Sequence, residues 1–149
     1  MRLVSVSDTH SLHSRIPAIP DGDVLIHAGG CLGTDTLGEV ADLNDWLGTL
    51  PHQHKIVIAG NHDAASQETP NLARRALTNA IFLEDNGVEI ESIRFWGSPW
   101  APTFRTWVFM LKRDEPLFQK WQLIPEDTDV LITDGPPKGM GDEVAAGFK

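Results

Sequence analysis

The sequence predicts an α/β protein built on a mostly parallel central sheet flanked by helices. Three observations carry that expectation. Four short apolar runs, around 3–6, 24–28, 56–59 and 129–133, each break off into glycine or polar residues, as strands buried on both faces do. A helical pattern separates the second run from the third, and the order strand, connector, strand, helix, strand favours parallel pairing. With 149 residues, 41% hydrophobic and 22% charged, the chain has the composition of one globular domain with one core. A single domain over 1–149 is expected, with 136–149 a flexible tail because the last stretch is glycine-rich and weakly apolar.

Leu3, Val4 and Val6 make the first strand, and Asp8-Thr9-His10 follows it. His13 lies in the loop beyond and is expected to face solvent. Pro17 and Pro20 stiffen a connector. Residues 23–28 make a second strand ending at Gly29-Gly30-Cys31, with His27 inside it as a hydrogen-bonded core histidine. Thr36, with Glu39 three residues later, is a capping-box pattern at a helix start. Val40, Leu43, Leu47 and Leu50 keep helical spacing, and Pro51 ends the helix. Ile56, Val57, Ile58 and Ala59 form the third strand. Residues 71–78 read as a short amphipathic helix, 81–83 as a short strand and 88–96 as a hairpin. Residues 98–107 make a loop rich in proline and tryptophan, whose aromatics would either wall a pocket or cover a sheet face, the second being favoured. Residues 114–122 read as a helix with Leu117, Phe118 and Trp121 inward, and 129–133 as the last buried strand.

The third strand organises the chain. Gly60 breaks it, and Asn61, His62 and Asp63 follow at once with an amide, an imidazole and a carboxylate. In open α/β sheets, ligands sit just beyond the carboxyl ends of the strands. The same residues would also serve a plain turn, in which Asn61 takes a left-handed backbone and Asp63 caps the next helix. Asp8 and His10, two apart at a strand end, can aim a carboxylate oxygen and an imidazole nitrogen at one metal ion. Asp134-Gly135 ends the last strand. In a parallel sheet these turns converge on one edge, and the convergence of Asp, His, Asn, His and Asp points to metal-assisted hydrolysis.

Charge and composition set limits. A net charge of −9 argues against nucleic-acid backbone or an anionic membrane as partner. The single cysteine, Cys31, excludes an internal disulfide and a cysteine-based zinc site. No apolar run reaches membrane-spanning length, and the N-terminus opens on a strand rather than a signal peptide, so a cytoplasmic setting is expected.

With these residues in view, the sequence resembles the calcineurin-like metallophosphoesterases. The resemblance runs through Ser5-Val-Ser-Asp-Thr-His, Gly22-Asp-Val-Leu-Ile-His-Ala-Gly, Asn44-Asp-Trp-Leu-Gly-Thr-Leu-Pro and Lys55-Ile-Val-Ile-Ala-Gly-Asn-His-Asp. It continues through Arg94-Phe-Trp-Gly-Ser-Pro-Trp to Asp129-Val-Leu-Ile-Thr-Asp-Gly-Pro-Pro, nearly the whole chain. Within that superfamily it is similar to the metallophosphoesterase domain-containing branch, some of whose members hydrolyse phosphodiesters and cyclic nucleotides. The resemblance implies the family fold, α/β of the α+β sandwich type, here C-terminally truncated. It implies metal ligation by Asp8, His10, Asn61 and Asp134. It implies His62 as general acid, binding the substrate phosphate together with Asn61, while a metal-bound hydroxide attacks phosphorus.

The departures from the family pattern matter as much. Where the family bridges its two metals with an aspartate after the glycine of the second strand, this chain has Gly30. Where the family has a histidine before Gly-Pro-Pro, this chain has Asp134. The family ends its metal site with a later Gly-His-x-His turn, and the sequence to Lys149 contains none. Two divalent ions roughly 4 Å apart repel strongly without a bridging anion, so an incomplete site holding one ion is expected rather than a dinuclear centre. The implied cofactor is a divalent metal (manganese, magnesium, iron or zinc), and the implied partner is a small phosphoester. The shortened sandwich implies an exposed edge and a homodimer that covers it. The competing expectation is a catalytically degenerate binding or interaction module on the same fold.

Overall fold

A computed structural model describes residues 1–34, 36–103, 106–137 and 139–142. The main sheet has four parallel strands in the order β1 (Leu3–Val6), β2 (Val24–Ala28), β3 (His54–Ile58) and β4 (Ile81–Leu83). Their register is Ser5 to Ile26, Ile26 to Ile56 and Ile56 to Ile81. The expected parallel sheet is therefore present, and β2 and β3 occupy its centre.

The side chains of the two central strands explain why. Leu25 and Val57 face one side, where they meet Val40, Leu43 and Leu47 of α1 (Leu37–Thr49). Val24, Ile26, Ile56 and Ile58 face the other side, against a second sheet. Each such buried branched side chain contributes about 1.5–3 kcal/mol relative to exposure. The capping box at the start of α1 forms as the sequence indicates: Thr36 Oγ1 accepts from the Glu39 N–H at 3.3 Å, and Glu39 Oε2 accepts from the Thr36 N–H at 3.1 Å.

The second sheet joins the hairpin β5 (Asn86–Ile90) and β6 (Ile93–Ser98) to β9 (Val130–Thr133), which runs parallel to β6. Ile90, Phe95 and Ile132 supply its inner face, giving a sandwich with helices outside. The last apolar run thus lies in this sheet and not beside the first three strands. Four apolar residues say nothing about which edge they pair with. Nor is the strand buried on both faces, since Leu131 is 48% exposed.

Other expectations need correction. His13 is 1% exposed, in a short 3-10 helix over His13–Arg15, with its Nε2 3.1 Å from Asp42 Oδ2 and its ring against Trp46. In α4 (Glu115–Trp121) only Leu117 is buried, while Phe118 and Trp121 face outward, because this two-turn helix meets the core at one point. Two short helices, α2 (Ala64–Glu68) and α3 (Pro70–Ala76), stand where one was expected. Pro70 at the head of α3 lacks the N–H that a continuous helix would use. The strands β7 (Ala101–Pro102) and β8 (Met110–Leu111) pair across the tryptophan-rich loop, in which positions 104 and 105 are outside the described residues. The tail expected over 136–149 also falls largely outside them. No described helix is long and apolar enough to cross a membrane.

Candidate active site

The carboxyl ends of β1, β2, β3 and β9 meet at one end of the sandwich. Beyond β1 the backbone turns through three left-handed non-glycine residues, Asp8 (φ 53°), His10 (φ 44°) and Ser11 (φ 59°). Such conformations cost on the order of 1–2 kcal/mol each. They are held by hydrogen bonds to the turn after β2: Asp8 N–H to Gly29 O at 3.0 Å, His10 N–H to Gly30 O at 3.0 Å, and Ser11 N–H to Cys31 O at 2.9 Å. Glu39 secures the same loop from α1, accepting from Ser11 Oγ at 2.6 Å and from the Gly33 N–H at 3.1 Å. Burial, the largest single influence, pushes its pKa up, but the hydrogen bonds from Ser11, Thr36 and Thr34 together outweigh it and lower the pKa to about 2.

The turn after β3 is built differently from a simple cap. Asn61 is not left-handed. The buried Asp63 carboxylate accepts from the Gly60 N–H at 2.6 Å, the Leu32 N–H at 2.8 Å and the Cys31 N–H at 3.2 Å, binding the β2 and β3 turns together. Asp63 does stand at the N-cap position of α2, but its side chain makes no capping bond there, because the backbone donors of Cys31, Leu32 and Gly60 hold its oxygens. Glycines make the approach of Asp134 possible. A Cβ on either Gly29 or Gly60 would collide with Asp134 Oδ1. The other oxygen, Oδ2, accepts from the Asn61 N–H at 3.1 Å.

The site residues are thereby brought together. The rings of His10 and His62 stand edge to face with centroids 5.0 Å apart, and the ring of Trp107 lies 4.5 Å from that of His62. A Cβ at Gly30 would sit 2.8 Å from Asp8 Oδ1. The pKa of Asp134 rises to about 6 through burial, opposed by the Asn61 N–H, with further upward pressure from Asp63 and Asp8. Beneath the site, His27 Nε2 pairs with Thr9 Oγ1 at 2.9 Å and its Nδ1 with Cys31 Sγ at 3.3 Å, as a core histidine should. Burial, then the nearby His13, lowers its pKa to about 4. The Cys31 thiol is 4% exposed, and burial, followed by the carboxylates of Asp63, Asp134 and Asp8, pushes its pKa well up.

The donors suit a divalent cation in kind. His10 Nδ1 lies 3.2 Å from Leu32 O, so the tautomer that donates there leaves Nε2 as a lone-pair donor. Asp8 and Asp134 offer carboxylate oxygens with no described cation bound to either. Among the described residues, however, no three His, Cys, Asp or Glu side chains converge closely enough to hold a metal ion. The donors are thus not gathered into a closed cage among the described residues.

Trp107 is the member that sequence reasoning missed. Of the two readings of the loop aromatics, this indole fits the one not favoured, since it lies against His62 rather than only covering a sheet face. Its separation from His62 by 45 positions, 107 − 62, hides the contact from any local pattern.

A parallel sheet packed on a second sheet, with Asp8, His10, Asn61 and His62 at the strand ends, is consistent with the metallophosphoesterase fold. No family model matches the chain. It is 42% identical over 96% of its length to "Metallophosphoesterase domain-containing protein 1" of Homo sapiens, and equally to that protein of Mus musculus. It is 38% identical over 95% of its length to a UPF0046 protein of Caenorhabditis elegans. The chain spans about half the length of these curated relatives, 51% and 56% respectively. The chain belongs to the metallophosphoesterase family, and within it resembles the metallophosphoesterase domain-containing proteins along nearly all its length. Metallophosphoesterases generally use divalent metals, and the relatives' names do not say which one this chain takes.

Proposed function

We propose that the chain is a metal-dependent phosphoesterase with an incomplete metal site, acting on a small phosphodiester or phosphomonoester. The observation that carries the reading is the gathering of Asp8, His10, Asn61, His62 and Asp134 at one end of the sandwich. Asp8, His10 and Asp134 do not converge closely enough to hold an ion in this structure, and with Asn61 they would close in to hold a divalent ion, manganese or magnesium by their oxygen-rich donor set, which would supply Lewis-acid activation of phosphate and water. His10 is oriented for this by Leu32 O, and Asp134 by the Asn61 N–H. His62, with Asn61, would bind the phosphate and pass a proton to the leaving oxygen.

The test is hydrolysis of a chromogenic phosphodiester by the metal-stripped protein with manganese, magnesium or zinc added back. Activity that appears with metal and disappears with chelator supports the reading. Gly30, which leaves no bridging carboxylate, favours a second reading as a binding module without hydrolysis. Absence of turnover with every metal, together with measurable phosphate binding, would select it.

A further inference from the structure

His62 is half-buried, and among the described residues neither of its ring nitrogens makes a hydrogen bond. This is unlike His10, which is pinned through Nδ1, and unlike His27, which is held at both nitrogens. A ring with three staggered χ1 choices and a soft χ2 needs something else to fix its plane. The only ring contacts it makes among the described residues are with His10 and with Trp107, the latter tilted by 46° at 4.5 Å.

We infer that Trp107 is the positioning residue for His62, holding the imidazole by stacking so that both nitrogens stay available to the phosphate. This rests on the phosphoesterase reading for its purpose, though not for its geometry. The loop that carries Trp107 is fastened with care. Two residues on, Phe109 is 1% exposed and left-handed (φ 50°), and its N–H donates to Gln67 Oε1 at 2.6 Å. Gln67 belongs to α2, which starts just after His62. One short segment therefore supplies the imidazole and also anchors the strand end beside its stacking partner. The other end of the loop is fixed too. Trp100 stacks edge to face on Phe109 at 5.3 Å and donates its Nε1–H to Asp85 at 2.7 Å. Aromatic pairs of this kind favour one ring orientation by about 2- to 10-fold. Trp107 itself is 37% exposed, so its replacement leaves the core intact.

The experiment is nuclear magnetic resonance of the imidazole protons, with His62 assigned by its absence in His62→Gln. The Trp107 ring current should displace the His62 ring protons in the native protein. They should return to ordinary positions in Trp107→Ala and stay displaced in Trp107→Phe. At saturating manganese, Trp107→Ala should lower kcat by up to about 10²-fold, the cost of an ångström-scale misplacement. Its manganese requirement should not change, and Trp107→Phe should recover part of the rate. His62 protons indifferent to the indole overturn the inference, whatever the activity. Displaced protons with an unchanged kcat in an active enzyme overturn it as well. A native protein inactive with every metal sinks the phosphoesterase reading instead, and the ring protons alone then decide the role of Trp107.

Discussion

The backbone N–H of Asn61 donates to the carboxylate of Asp134 at 3.1 Å, joining residues 73 positions apart and tying the tip of the main sheet to the tip of the second. Replacing Asp134 by asparagine keeps an oxygen acceptor for that N–H. Replacing it by alanine removes the acceptor and empties the space over Gly29 and Gly60. Asp134→Ala is therefore expected to be less stable than Asp134→Asn by about 1–2 kcal/mol. Urea denaturation of both variants without metal checks this. Equal midpoints would mean that the tie carries no stability.

Gly30→Asp sets two effects against each other. A side chain there meets Asp8 and must adopt φ +63°, a left-handed conformation costing about 1–2 kcal/mol. The added carboxylate also stands beside Asp8, where it would help draw in a cation. The expected outcome is a lower melting temperature in chelator but tighter manganese binding by calorimetry. Gly30→Ala should show the first effect without the second. An aspartate variant whose isotherm matches that of the alanine variant would contradict the shared cavity.

His10 and His62 should fail in different ways. His10→Ala removes a proposed ligand, so its rate should recover in part with excess manganese. His62→Ala removes a proposed acid, so its rate should stay depressed by roughly 10²-fold at saturating metal. Metal titrations of the rate separate the two. Rescue of both, or of neither, would reassign the roles.

Stability should fall toward acid in two steps. His27 has a pKa lowered to about 4 against an ordinary 6.5, so the unfolded chain binds its proton first. Stability then drops as pH falls from about 6.5 to about 4. Glu39, lowered to about 2 from an ordinary 4.5, contributes stability that is present above 4.5 and is lost as pH falls toward 2. For this partly exposed carboxylate the second step is worth about 1 kcal/mol after solvent screening. Denaturation midpoints against pH should show the lower step vanish in Glu39→Gln while the upper one persists. A lower step that survives the substitution would remove Glu39 from the account.

Local signals read well from the sequence, and long-range ones did not. The Thr36–Glu39 capping box needs only a spacing of three and was legible. So were the four strands and the residues at their ends, because a buried run that stops at glycine or aspartate announces both the strand and its tip. The partners of each strand were less legible. Nothing in 130–133 distinguishes pairing with β6 from pairing with β1. His13 was read as exposed because its partners, Asp42 and Trp46, come from the next helix. Asp63 looks like a cap in sequence, yet its oxygens are claimed by backbone donors at 31 and 32. Trp107 carries no local mark of its contact with His62.

The buried thiol of Cys31 offers a clock. A thiol held protonated and out of reach of solvent does not react with iodoacetamide until its surroundings part. Its alkylation rate, divided by that of the same cysteine in the unfolded chain, gives the equilibrium for local opening beside the candidate site. If the closed form is the one that takes up manganese, added manganese should slow the clock by the factor 1 + [Mn]/Kd. Cys31 would then report metal binding without any substrate, and without a single turnover.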